Sequence, residues 1–219
     1  MVRAVEFLTE TTDDDVMLHD IAAKIVMNML RRLERREKIL NDPAQSNIKW
    51  YEGNNTPAGQ VADYIGQSRD PKYRLFARTR LYIDDIGREN AGGVFFKGSD
   101  PKIVIARDIL TDEFDTEQAN DAVTHELRHA LDYSKSMGRG MGNYDKRDDY
   151  MSNRFEINAR MTEAQSLMMQ QIKELGRQPG TNELMDIIKE VLDTLQVTDH
   201  VSQQQYKRLV NRMVQYASH

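Results

Sequence analysis

Apolar residues recur every three or four positions over long stretches of this chain, and that spacing is typical of amphipathic helices. The first stretch runs from Asp13 to Leu40, with Val16, Ile21, Ile25, Met29 and Leu33 along one side. Because one side repeats as apolar, we expect this stripe to be part of the core. The same spacing predicts later helices at 117–133, from Arg154 to a stop at Leu175-Gly176, at 182–195 and at 201–216.

Shorter apolar runs in the middle of the chain predict a small β-sheet. The strand candidates are Arg78 to Ile83, Val94 to Lys97 and Ile103 to Ala106. Gly98-Ser99-Asp100-Pro101 separates the last two and predicts a hairpin turn. Thr56-Pro57 is predicted to start a short helix, as its N-cap and first helical residue. The expected fold class is therefore α+β, with a small mixed sheet flanked by N- and C-terminal helices.

The helix predicted over Glu117 to Tyr133 contains His125-Glu126-Leu127-Arg128-His129, an H-E-x-x-H sequence. Two histidines four positions apart lie on the same face of a helix, so both imidazoles can reach one metal ion. The intervening glutamate flanks the open position, where it can take a proton from a metal-activated water. The pattern therefore predicts a zinc hydrolase with His125 and His129 as ligands and Glu126 as general base.

Chance produces such a string in on the order of one chain per hundred of this length, before helical context is required. The helical context is present, because the flanking residues Ala122, Val123, Leu127, Ala130 and Leu131 form an apolar side. Arg128 is unusual, since the residues between the glutamate and the second histidine are generally uncharged in zinc peptidases of this type. The alternative interpretation is a surface helix that carries two histidines by coincidence.

A third protein ligand is expected from outside this motif. Glu156 is the favoured residue, because it opens the next apolar-periodic segment, and a glutamate on a helix packed against the H-E-x-x-H helix is the gluzincin arrangement. The alternatives are Asp132, the Asp145 to Asp149 cluster and His200. Asp132 lies further along the same helix, so we expect it to accept a hydrogen bond from a ligand imidazole instead.

Transition-state stabilisation requires a hydrogen-bond donor near the developing oxyanion. The candidates near the motif are Tyr133, Tyr144, Tyr150 and Arg160. The alternative for Arg160 is a structural role, in which it pairs with Glu156 one turn away. The strand Gly92 to Phe96 is the candidate sheet edge that pairs with an extended substrate, with an internal strand as the alternative. The segment Lys135 to Asn143 is either a substrate loop or an ordinary solvent loop.

Four stretches between residues 91 and 167 resemble the mitochondrial ATP-synthase-processing metallopeptidase family. They are Gly92-Gly93-Val94-Phe95-Phe96, Ile103 to Arg107, Thr124 to Asp132, and Phe155 to Arg160. The resemblance implies a zincin fold of the gluzincin type, a Zn²⁺ cofactor, His125 and His129 as ligands, Glu126 as base and Glu156 as third ligand. The family's cysteines are absent, and arginine and alanine follow the glutamate in a different order, so the family's substrate is not carried over.

The N-terminal Val5-Glu6-Phe7-Leu8-Thr9-Glu10 resembles the capsid-targeting peptides of internal head proteins in large tailed phages. Such peptides end in a Leu-x-Glu cleavage site, which Leu8-Thr9-Glu10 matches. The resemblance implies a phage protein packaged in the virion. The alternative is an ordinary N-terminal segment. The expected organisation is an N-terminal segment over 1–12 and one metallopeptidase domain over 13–219, with a C-terminal helical extension from about 181.

Composition limits the partners. The chain has 30 basic and 35 acidic residues and a net charge of −5, which argues against nucleic-acid binding. Neither a run of 18 apolar residues nor a secretory h-region is found, so no membrane span and no signal peptide are expected. The chain has 0 cysteines, which excludes disulfides and cysteine-ligated zinc and fits a reducing compartment, either cytoplasm or virion.

These observations lead to one hypothesis, a zinc-dependent metalloendopeptidase that hydrolyses a protein or peptide substrate. Two alternatives remain open. One is a zinc amidase acting on a cell-wall or small amide substrate, because its metal chemistry is the same. The other is a catalytically silent virion protein with a zincin fold.

Overall fold

The computed structural model describes residues 2–40, 56–66, 70–86, 92–110, 116–136 and 154–218. The chain forms two compact units. Residues 20–141 make up the first, called here the sheet unit, and residues 1–19 and 142–219 make up the second, called the helical unit. Tyr144, Tyr150, the Asp145 to Asp149 cluster and the predicted loop beyond Ser136 lie outside the described residues.

The longest helix, α1, spans Val2–Leu40, with its first part in the helical unit and the remainder in the sheet unit. The predicted helix from Asp13 is confirmed, but it begins earlier, so residues 2–12 continue the same helix. A helical conformation does not test whether this segment is a targeting peptide, and that remains a prediction.

The apolar stripe of α1 is confirmed for Ile21, Ile25 and Met29, which are all buried. Val16 was expected in the same stripe, and that expectation is wrong, because its side chain is 40% exposed. At 100° per residue, five positions place Val16 far around the helix from Ile21. Leu18, three positions before Ile21, is the buried residue instead.

The sheet unit contains a four-stranded mixed sheet. Its strands are β1 (Thr56–Gln60), β2 (Arg80–Asp84), β3 (Gly93–Phe96) and β4 (Lys102–Ala106), in the spatial order β1-β2-β4-β3. β2 and β4 are parallel, whereas β1 and β3 run antiparallel to their neighbours. The predicted hairpin between β3 and β4 is confirmed, and Gly98 in its turn has a φ of 150°. In the described sheet β3 is an edge strand, as expected for the substrate-pairing candidate.

The sheet unit also contains helices that pack around these strands. The short helices α2 (Ala62–Ile65) and α3 (Arg74–Arg78) precede β2, and a 3₁₀ turn at Asp108–Leu110 follows β4. The helix α4 (Thr116–Lys135) packs against α3, β3 and β4. It therefore lies over the edge of the sheet formed by the hairpin.

The segment Thr56-Pro57 was predicted to open a helix, and that prediction is wrong, because both residues belong to β1. Proline fixes φ at a value that also suits an extended strand, and its missing N–H is tolerated on an edge strand. β1 occupies such an edge in the described sheet. The predicted short helix begins later, at Ala62.

Among its described residues, the helical unit contains the further helices α5 (Arg154–Glu174), α6 (Thr181–Thr194) and α7 (Gln203–Tyr216). All three were expected within one or two residues of these bounds. Their apolar faces meet in one core, which includes Met161, Met168, Ile188, Leu192 and Met213. The N-terminal part of α1 joins this unit through Asp15, whose carboxylate is fully buried against Arg212.

The described chain is a mixed α+β protein with a small mixed sheet, which confirms the expected fold class. The expected division into a segment over 1–12 and a single domain remains a prediction, because compactness alone does not define an inherited domain. None of the described helices combines the length and the apolar character needed to span a lipid bilayer.

Candidate metal centre

The helix α4 carries the H-E-x-x-H motif, and its packing fixes the direction of each side chain. Val123, Leu127 and Leu131 are buried, so this face of the helix is held against the unit. Ser134 anchors the C-terminal end, because its hydroxyl donates to the Lys72 carbonyl at 2.7 Å and accepts from the Leu75 N–H at 3.1 Å. A helix fixed at this end presents the motif in one orientation.

His125 and His129 converge, as their spacing predicts. Their Nε2 atoms are 3.1 Å apart, and their rings meet edge to face with centroids 4.8 Å apart. His129 is buried and His125 is half-buried. Two imidazoles therefore direct the same ring nitrogen toward one point.

The nitrogen separation agrees with what a tetrahedral zinc site requires. Zinc–nitrogen bonds of about 2.0–2.1 Å at tetrahedral angles place two ligand nitrogens roughly 3.3 Å apart. The observed 3.1 Å between the two Nε2 atoms is close to this separation. Neutral imidazole nitrogens are also among the donors that zinc prefers. The separation of the two nitrogens is therefore compatible with a shared zinc ion.

Glu126 lies on the side of the histidine pair that faces β3. Successive helix residues are rotated by 100°, so Glu126 and Tyr133 lie on one flank of the pair, and Arg128 and Asp132 lie on the other. The Glu126 side chain is buried and lies directly against Gly93 of β3. The expected base is thus held between the two histidines and the edge strand.

Arg128, the unusual residue of the motif, is neutralised within the same helix. Its guanidinium pairs with the Asp132 carboxylate one turn later at 3.1 Å, and the two side chains are only 5% and 7% exposed. Burying a charge is unfavourable unless an opposite charge is adjacent. Asp132 therefore explains how the helix accommodates a buried arginine, while its expected hydrogen bond to a ligand imidazole remains a prediction.

Tyr133 is attached to the hairpin. Its hydroxyl donates to the Gly98 carbonyl at 3.2 Å, and its ring packs against Phe95 at a centroid distance of 5.6 Å. These contacts tie α4 to the turn between β3 and β4. A role for Tyr133 in stabilising an oxyanion remains a prediction.

Glu156 and Arg160 belong to the helical unit, in the first two turns of α5. Arg160 Nε donates to Glu156 Oε1 at 2.9 Å, which confirms the expected pairing. Arg160 Nη1 also donates to the Leu195 carbonyl at the end of α6, at 2.9 Å. Glu156 is only 2% exposed, so this arginine supplies the positive charge that a buried carboxylate requires. His200, the rival ligand, lies half-buried in a 3₁₀ turn at Thr198–His200.

Sequence reasoning named the candidate site residues but missed two contacts that position them. One is the buried pair of Arg128 and Asp132, whose spacing of four was an available signal. The other is the approach of α4 to β3 at Gly92 and Gly93, where each glycine leaves no room for a side chain. Two adjacent glycines at a strand start were the available signal for a close backbone approach.

Comparisons with known proteins do not identify the chain. No protein-family model, no curated protein and no solved structure matches it. The function is therefore inferred from the residues of the chain and their geometry.

Proposed function

We propose that this protein is a zinc-dependent metalloendopeptidase of the gluzincin type, with a zincin fold. The observation that carries the proposal is the convergence of the His125 and His129 Nε2 atoms to 3.1 Å beside the buried Glu126. The arrangement of α4 beneath an edge strand supports it further, because an extended peptide can pair with such an edge.

His125, His129 and Glu156 are the proposed ligands, and each offers one donor atom of a type that zinc accepts. When bound, zinc lowers the pKa of a coordinated water to near neutrality and polarises the substrate carbonyl. The two imidazoles must be neutral at the coordinating nitrogen for this. The buried α4 helix keeps both rings oriented toward the same point.

Glu126 is the proposed general base. Its carboxylate takes the proton from the attacking water and delivers it to the amine that leaves when the peptide bond breaks. Burial against β3 holds the carboxylate in place. The substrate backbone, paired with the outer edge of β3, would pass on the same side of the histidine pair as this carboxylate.

Arg160 is proposed to support Glu156 rather than to touch substrate. A carboxylate can accept a hydrogen bond from arginine at one oxygen and bind a metal ion through the other. Here the arginine contact is made with Oε1. The same guanidinium also donates to the Leu195 carbonyl at the end of α6, and this second contact restrains the arginine that holds the carboxylate.

The test combines metal analysis with a peptide digest. Untagged protein from zinc-supplemented medium is dialysed against metal-free buffer, and we expect about one zinc per chain in the wild type and in Glu126→Gln. The same digest should show peptide cleavage by the wild type and a loss on the order of 10²–10⁴-fold in Glu126→Gln. Glu156→Gln and His129→Ala should lose metal as well as activity.

The outcomes separate the parts of the proposal. Activity retained by Glu126→Gln would show that another group is the base. Full zinc content in Glu156→Gln would remove Glu156 from the ligand set. Zinc-loaded protein that leaves every peptide intact would overturn the peptidase assignment and leave the amidase or the silent protein.

A further inference from the structure

Two consecutive glycines lie where β3 meets α4, and neither has a positive φ. A Cβ built on Gly93 would lie 2.7 Å from Glu126 Cγ and 3.1 Å from Ile105 Cδ1, and one built on Gly92 would lie 2.8 Å from Ala122 Cβ. Carbon atoms do not approach that closely without a displacement. These glycines are therefore required for space and not for backbone conformation.

The crowding at Gly93 has a specific consequence for Glu126. The nearest atom is Cγ, in the middle of the side chain, so the carboxylate cannot avoid a new methyl group by bending its tip. The side chain is buried, so alternative rotamers would collide with other packed groups. Any side chain at position 93 would therefore displace the whole carboxylate.

We propose that Gly93 is a positioning residue for the general base: its hydrogen in place of a side chain lets Glu126 occupy its position beside the histidine pair. The role of Glu126 as base comes from the proposed function, whereas the contact between Gly93 and Glu126 does not depend on it. Gly92 performs no such role, since its neighbour is Ala122, one turn before Glu126.

The enzymatic expectation is a split between kinetic constants. In Gly93→Ala the histidines are untouched, so zinc content and KM should stay at wild-type values. kcat should fall on the order of a hundredfold, because a displacement of about 1 Å at a reacting group has an effect of that size. A merely destabilised protein would instead lose metal or active fraction, with kcat per zinc unchanged.

The deciding test does not use activity. Thermal unfolding of the metal-free protein is measured for Gly93→Ala, Glu126→Ala and the double variant, which together form a double-mutant cycle. Gly93→Ala should lower Tm by roughly 3–10 °C, as overpacking does. In the Glu126→Ala background Cγ is gone, so the same substitution should lower Tm by less than half as much.

A cycle built on Gly92→Ala and Glu126→Ala is the matched control. It adds the same methyl group one residue before β3, but toward Ala122, so its effects should be additive. If Gly93→Ala alone fails to fold, the double variant with Glu126→Ala should fold, which supports the inference equally.

Two results would overturn the inference. One is an equal Tm loss, or equal failure to fold, with and without the Glu126 side chain, which would assign the crowding to Ile105. The other is a wild-type kcat in zinc-loaded Gly93→Ala. If the variants show the expected Tm coupling but the wild-type protein cleaves no substrate, only the proposed function is refuted.

Discussion

The two units each contain a polar cluster, fully buried in the helical unit and partly buried in the sheet unit, and the clusters differ in the kind of groups they bring together. In the helical unit, Arg212 donates to both oxygens of Asp15 at 2.6 and 2.7 Å, and Gln165 donates to the same carboxylate at 2.9 Å. In the sheet unit, His125 and His129 bring two identical ring nitrogens to 3.1 Å. Two opposite charges neutralise each other, whereas two imidazole nitrogens with lone pairs can both bind a cation placed between them. We therefore expect the first cluster to stabilise the fold and, under the proposed function, the second to bind metal.

The strongest test of this comparison removes one partner of the ion pair. Arg212→Met should reduce the free energy of unfolding by about 3–5 kcal/mol, because the Asp15 charge is left buried without its arginine. Urea unfolding monitored by circular dichroism measures the change. Asp15→Asn combined with Arg212→Met should recover part of the loss, since no charge is then buried. A loss below about 1 kcal/mol in Arg212→Met would show that the pair is not structural.

The second test addresses the histidine pair, which should give stability only when metal is present. Free zinc at about a thousand times its dissociation constant should stabilise the wild type by about 4 kcal/mol. His129→Ala should lose most of this increment, measured against its own metal-free stability. Glu183→Gln, far from the motif in sequence and outside the proposed ligand set, is the control that should retain the increment. An equal zinc effect in His129→Ala would contradict the assignment of this pair as ligands.

The same contrast explains what could be predicted from the sequence. The histidine pair and the salt bridge of Arg128 and Asp132 involve residues four positions apart on one helix, so helical periodicity is enough to bring them together. The ion pair of Asp15 and Arg212 joins residues 197 positions apart, and no local pattern signals it. Sequence reasoning therefore found the candidate site and missed the cluster that holds the helical unit together.

Two of the errors have the same origin. Thr56-Pro57 satisfies the local rule for a helix start. Both residues lie in β1, however, which pairs with β2, and the rule does not consider this pairing. Gly93 was noticed as part of a strand, yet its function depends on Glu126, 33 positions later. Both of these errors concern contacts between distant segments, whereas the misplaced Val16 and the missed pair of Arg128 and Asp132 lie within single helices.

The smallest expected effect comes from a second arginine–carboxylate pair, which also makes short hydrogen bonds to both carboxylate oxygens. Arg177 donates to both oxygens of Glu183 at 2.7 and 2.8 Å. The Arg177 side chain is 61% exposed, in contrast to the buried Arg212. The hydrogen bond from Arg177 lowers the pKa of Glu183 below its ordinary value of 4.5. A lowered pKa stabilises the folded protein above the ordinary value, and the contribution is lost as pH falls through the folded value.

Glu183→Gln imitates the protonated carboxyl, so its Tm should lie slightly below that of the wild type at about pH 7, and the difference should shrink toward about pH 3. Salt should reduce the difference, because an exposed pair is screened. Differential scanning calorimetry of the metal-free proteins at both pH values measures it. The Tm loss in Glu183→Gln should be smaller than that in Arg212→Met, because the pair of Arg177 and Glu183 is much more exposed. A Tm loss in Glu183→Gln as large as that in Arg212→Met would contradict this dependence on burial.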